Sequence, residues 1–190
     1  SQFCEDEKEN LWIATEDGGL NYFDTKSKQA KAFNPLNKTN SISHYNIHAL
    51  MLDGDQLWIG TLSRGIDVMN VRNGQVKNYQ HRRNDSKSVA DNSIYSIYKD
   101  SKGEILVGTA WGLSVFNKND DSFSLVEEIG QMVHIFDIHE DSRKRLWIAT
   151  YNAGVFLRDP QTQKWTQFSH NVNDPNSIQS NRIISLFEDK

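Results

Sequence analysis

Five aspartates return at one place in a repeating pattern: Asp6, Asp53, Asp100, Asp141 and Asp189. Paired carboxylates could hydrolyse a glycosidic bond, one as acid and the other as base or nucleophile. Such a pair would use two of the five. A turn cap uses all five, because an Asp carboxylate accepts from backbone N–H groups just ahead of it. The series therefore reads as structural. The six histidines are His44, His48, His81, His134, His139 and His170. None stands at metal-ligand spacing from Cys4 or from a second histidine, so no metal site is assigned. A Gly-rich phosphate loop and a Ser nucleophile elbow are both missing. No catalytic residue and no cofactor is assigned, and the chain is not expected to be an enzyme.

The remaining chemistry is that of binding. Four short loops follow a recurring Thr and differ in content: Glu16-Asp17, Leu62-Ser63-Arg64, Ala110-Trp111 and Tyr151-Asn152. Variable loops on a repeating frame are where a site can be grafted. Aromatic faces take the CH surfaces of sugars, and planar polar groups take their hydroxyls. The candidates are Trp111 and Tyr151 for stacking, and Arg64, Asn152 and Asp17 for hydrogen bonding. His44 and Tyr45, late in a longer loop, join them.

The frame that positions these residues is a tandem repeat. Leu11-Trp12-Ile13-Ala14-Thr15 returns as Leu57-Trp58-Ile59-Gly60-Thr61, Ile105-Leu106-Val107-Gly108-Thr109 and Leu146-Trp147-Ile148-Ala149-Thr150, at steps of 46, 48 and 41 residues. Each copy has an apolar run ending at the Asp (strand A), the Leu-Trp-Ile-Gly-Thr segment (B), an alternating segment after a Gly (C) and an aromatic closing segment (D). Four short β-strands per roughly 40–50 residues is the spacing of β-propeller blades. The fold expected is all-β: four consecutive four-stranded antiparallel blades, as a closed small ring or an arc of a larger propeller. The segment spans 1–190, with blades at about 1–34, 46–80, 92–127 and 133–168. Residues 182–189 read as the first strand of a further blade, which could fill the first blade's gap and close a small ring. Gly18, Gly65, Gly112 and Gly154 are placed at the B–C turn. The small residues Ala14, Gly60, Gly108 and Ala149 let sheets approach, and Trp12, Trp58 and Trp147 are expected to pack blade against blade. The D–A connectors begin at Asn34, His81 and Ser169.

Composition narrows the partners. The formal net charge is −4 and 24% of residues are charged, which excludes a dominant basic face for nucleic acid. No run of about 18 apolar residues is present, so no membrane contact is expected of this segment. One cysteine cannot assign a compartment. Open blade edges invite self-association.

The string Asn-x-Ile-x-x-Ile-x-x-Asp, then Gly, then Leu-Trp-Ile-Gly-Thr and Gly-Leu resembles the two-component regulator propeller repeat. Asn92 to Leu113 carries it with Ser93 inserted, Asn46 to Ile66 with a shortened A–B turn, and Asn181 to Asp189 opens a further copy. That resemblance implies the periplasmic sensor half of a hybrid two-component regulator, held in the inner membrane and signalling to a histidine kinase outside this segment. It also implies an oligosaccharide or other small ligand. Such proteins carry two seven-bladed propellers, so four copies depart from the family's usual ring. A protein-interaction scaffold, or a glycan-active hydrolase or lyase propeller, are the alternative readings.

Overall fold

The computed structural model describes residues 2–35 and 40–189. Residues 36–39 of the first D–A connector, and the terminal Ser1 and Lys190, lie outside the described residues. Among the described residues, sixteen strands form four antiparallel sheets, each in simple sequential order. Blade 1 is β1 (Phe3–Glu5), β2 (Leu11–Ala14), β3 (Leu20–Asp24) and β4 (Gln29–Phe33). Blade 2 is β5 (Ile47–Asp53), β6 (Gln56–Thr61), β7 (Ile66–Asn70) and β8 (Val76–Tyr79). Blade 3 is β9 (Ile94–Lys99), β10 (Ile105–Thr109), β11 (Gly112–Asn117) and β12 (Ser122–Leu125). Blade 4 is β13 (Ile135–Glu140), β14 (Leu146–Thr150), β15 (Val155–Arg158) and β16 (Trp165–Phe168). The first strand of each blade packs on the first strand of the next, in the order β1, β5, β9, β13.

The core lies between blades, because each blade has two faces to bury. Trp12 of blade 1 shares a cluster with Leu50, Leu57, Ile59 and Met69 of blade 2. Trp58 of blade 2 meets the ring of Phe116 of blade 3 at 4.9 Å. Leu106 of blade 3 joins Ile135, Ile138, Ile148 and Phe156 of blade 4. Close approach requires the small residues of the second strands. A Cβ on Gly60 would stand 2.6 Å from Ile94 of the next blade, and one on Gly108 2.6 Å from Ile135. Both distances are far inside van der Waals contact, so larger residues there would push the sheets apart.

The turn aspartates act as caps in three blades. The Oδ1 atom of Asp6 accepts from the N–H groups of Lys8 and Asn10, that of Asp100 from Lys102 and Glu104, and that of Asp141 from Arg143 and Arg145. Asp53 differs. Its A–B turn is shorter by residue count, and its carboxylate takes Lys99 (2.5 Å) and Lys118 (3.7 Å) of blade 3 instead. The B–C turn also departs from expectation in blade 1. Gly19, not Gly18, holds the positive φ (67°) found at Gly65 and Gly154.

One expectation at the ends is corrected: residues 182–189 do not fill the first blade's gap to close a ring. Among the described residues they are assigned to none of the four sheets. They lie along blade 4, where Ile183 N–H donates to Thr150 O (2.8 Å), as Ile47 N–H does to Thr15 O (3.2 Å) between blades 1 and 2. The four blades therefore stand as an open arc, with Phe3 exposed at one end and Ile184 and Phe187 at the other. No helix among the described residues is long and apolar enough to cross a membrane.

Candidate functional site

The B–C loops and D–A connectors gather on one face of the arc, because both join the same ends of the strands. Their backbones are fixed from below. In each B–C loop the Thr hydroxyl donates to a Gly carbonyl: Thr15 to Gly19, Thr61 to Gly65, Thr109 to Gly112 and Thr150 to Gly154. The connectors are pinned by one buried apolar residue, Ile42 or Val89, and by a polar group on the third strand. Ser43 N–H donates to Asp67 Oδ2 (2.6 Å) and Ala90 N–H to Ser114 Oγ (3.1 Å).

The seven candidate residues all lie on this face, in different states. Trp111 is 42% exposed, Tyr45 45% and Tyr151 37%. The ring of Tyr151 stacks on Phe136 (5.4 Å) and carries the Arg182 guanidinium at 4.2 Å. Asp17 and Arg64 are exposed, and only their backbones are held: Asp17 N–H by Asn46 Oδ1 and Arg64 N–H by Thr61 Oγ1. Asn152 is committed to the scaffold at both ends of its amide. Its Oδ1 accepts from His134 N–H (3.1 Å) and its Nδ2 donates to Met132 O (2.8 Å). His44 is committed likewise, its Nδ1 accepting from Asn46 N–H (2.9 Å). Trp111, Tyr151, Tyr45, Arg64 and Asp17 remain the groups presented outward.

Sequence reasoning missed the inner rim of this face. The first strands of blades 2, 3 and 4 each carry a register shift at their second residue. A bulge re-aims the side chain at that point. The residues are His48, Tyr95 and Phe136. Their rings stack from blade to blade, His48 on Tyr95 at 5.6 Å and Tyr95 on Phe136 at 4.7 Å, and Tyr151 extends the row. Burial pushes the His48 pKa down, against the opposing pull of Glu16, so its imidazole is neutral at pH 7. The shared repeat position was a readable signal, but the bulge that turns the rings together was not.

Asp67 was also passed over. It is fully buried, and burial pushes its pKa up, against hydrogen bonds from Ser43 and Asn78. Its role is to hold the connector bearing His44 and Tyr45. Cys4 is no nucleophile at neutral pH: burial, helped by Asp6, pushes its thiol up to about 11. Among the described residues, no group of three or more His, Cys, Asp or Glu is placed to hold a metal ion.

A family model described as two component regulator propeller matches residues 88–111 and 129–152. These stretches hold the start of blade 3 through Trp111 and the start of blade 4 through Asn152. No curated protein matches the sequence. Several solved structures share the fold. The extracellular domain of a hybrid two component system from B. thetaiotaomicron is 22% identical with a TM-score of 0.83; the match covers 99% of this chain and 24% of that one. PorZ, a bacterial surface component of the type-IX secretion system of Porphyromonas gingivalis, is 18% identical with a TM-score of 0.72, over 97% of this chain and 29% of that one. Virginiamycin B lyase from Staphylococcus aureus is 13% identical with a TM-score of 0.67, over 90% of this chain and 55% of that one. The chain thus spans about a quarter of the length of the first of these.

Proposed function

We propose that this chain, which carries two-component regulator propeller repeats, is a ligand-sensing part of a periplasmic sensor that recognises an oligosaccharide on its loop face. The observation that carries the reading is the exposure of three rings on that face. Trp111, Tyr151 and Tyr45 all project from loops that vary over a repeating frame. Aromatic faces offer CH contact, and Arg64 and Asp17 offer a cation and an anion for hydroxyls. The reading as a binding module rather than a catalyst is supported by the turn aspartates, whose hydrogen bonds go to backbone N–H groups in three blades. A sensor of this kind passes a signal only if ligand binds one arrangement of the arc better than another.

The test is calorimetric titration of the chain with a panel of neutral and acidic oligosaccharides, with indole fluorescence recorded in parallel. Saturable binding to a subset of glycans is expected, weakened roughly tenfold or more by Trp111→Ala, as loss of one stacked sugar contact would give. No heat with any glycan, or binding that survives both Trp111→Ala and Tyr151→Ala unchanged, would overturn the reading.

A further inference from the structure

On the face of the A–B turns, opposite the loop face, the later junctions are each closed by one recurring side chain. It is the residue just before the turn aspartate of the following repeat. Lys99 reaches back to Asp53 (2.5 Å). Glu140 accepts from Ser101 N–H (3.2 Å). Glu188, in the segment lying along blade 4, accepts from the N–H and hydroxyl of Ser142 (2.9 and 2.7 Å). Between blades 1 and 2 the same place holds Leu52, which has no polar group to reach with.

The other fillers are missing at that junction too. The registers align Lys118 of blade 3 with Val71 of blade 2, Phe116 with Met69, and Phe123 with Val76. Each replacement is shorter or smaller. A groove of about 600 Å³ opens there, with Trp12, Tyr22, Lys31, Phe33, Leu52 and Val71 among its lining residues.

The neighbouring junction shows what such a groove accepts. Lys77 lies over the ring of Tyr79, 4.7 Å from its centroid. Asp121 reaches across from blade 3 and takes both the Lys77 ammonium and the Tyr79 hydroxyl (2.5 Å). Blade 1 repeats the cation and ring as Lys31 over Phe33, at 4.8 Å. The residue aligned with Asp121 is Gly74, which supplies no carboxylate. Both residues take the left-handed backbone, φ 57° at Asp121 and 73° at Gly74.

We infer that the groove between blades 1 and 2 binds a small organic carboxylate with an apolar face. The carboxylate sits on the Lys31 ammonium, and the body lies against Phe33, Leu52 and Val71. Lys8 at the rim adds positive charge. Of the acids there, Glu7 is exposed at the rim, Asp55 is paired with Arg72 (2.7 Å), and Asp6 already accepts from two backbone N–H groups and the Tyr22 hydroxyl. A charge-assisted bond to Lys31 makes the site selective for acids over their neutral analogues. This site is separate from the loop face and does not depend on the reading given for it.

The test is an NMR titration of the isotope-labelled chain with sodium benzoate and sodium glucuronate, against benzyl alcohol and glucose. At least one of the two salts should saturably shift the amides of Lys31, Phe33, Leu52 and Val71. Which salt does so distinguishes an aryl from a sugar body. The neutral analogues should bind roughly tenfold more weakly or worse. Lys31→Met removes the cation. Gly74→Asp restores the aspartate of blade 3 on a backbone Asp121 already adopts, and competes from within. Each should weaken binding roughly tenfold, with dispersed spectra showing that the variants fold, while Trp111→Ala leaves it unchanged. No saturable shift at these amides, an equal response to the neutral analogues, or undiminished binding in Lys31→Met would overturn the inference.

Discussion

The junction between blades 2 and 3 and that between blades 3 and 4 join the same strands in the same order, yet they are held by different chemistry. Between blades 2 and 3 the second-strand position carries Trp58. Its indole packs with Phe116 at 4.9 Å and lies parallel to the ring of Tyr79 at 6.3 Å, and Phe123 completes the cluster. In blade 3 the same position carries Leu106, a much smaller side chain. The position of Phe116 is taken in blade 4 by Arg158, whose guanidinium reaches Asp100 Oδ2 (3.2 Å) and Glu104 (3.0 Å). The lesson is that the repeat sets the backbone, while the filling between blades can be traded as a complementary pair. A large ring meets a ring, and a small residue leaves room for a cation that finds the turn aspartate.

The strongest way to break this comparison is Trp58→Ala. The side chain is 4% exposed, so truncation leaves a cavity and should cost about 3–5 kcal/mol. Thermal unfolding with urea titration checks it. The loss should be insensitive to salt. A cost below about 1 kcal/mol would mean that the ring cluster is not what holds blades 2 and 3 together.

Next in size is Arg158→Met, which keeps length and removes charge. The Asp100 side chain is 1% exposed and that of Arg158 13%. Taking away the cation leaves a buried carboxylate with only its turn N–H groups, at a cost of about 2–3 kcal/mol. Glu104 is more exposed and adds little. Asp100→Asn together with Arg158→Met should cost less than the two single changes summed, because they share one interaction. Strict additivity in that cycle would show that Arg158 contributes through packing alone.

Much of the frame was legible in the sequence. The period-two apolar runs, the Asp-bearing turns and the small residues of the second strands each have one physical cause that acts locally. The pairing of Leu106 with Arg158 was not legible, because it joins positions in neighbouring blades through a register that only the folded arc defines. The same holds for the row of His48, Tyr95 and Phe136, which a bulge aligns. For the candidate site, loop identity was readable from the variable positions, but commitment was not. Asn152 and Trp111 look equally available in sequence. Only the geometry shows that the Asn152 amide is bound at both ends while the Trp111 ring stands out of its loop.

The smallest expected effect sharpens the comparison at a third turn, in blade 4. There Asp141 keeps its cation and ring within its own blade. Arg145 Nε donates to Oδ2 at 2.6 Å and the Trp147 indole N–H at 2.8 Å. Burial pushes the carboxyl pKa up, but these bonds and those of the backbone outweigh it and hold it at about 2, below its ordinary 3.8. A carboxyl held low in the folded state contributes stability above its unfolded value. That contribution fades as the pH falls from 3.8 toward about 2. Asp141→Asn removes the charge and one acceptor, at a cost of about 1–2 kcal/mol near neutrality. Asp6, Asp24, Asp120, Asp121, Asp159 and Glu140 are also held low, so the wild-type chain weakens in acid for several reasons. The difference between wild type and variant isolates Asp141. Measured by urea unfolding at a series of pH values, that gap should be widest at neutral pH and narrow through the same acid window. A gap that stayed constant down to the lowest pH would assign the loss to the missing hydrogen bond and not to the charge, and would remove blade 4 from the set of turns that depend on an ion pair.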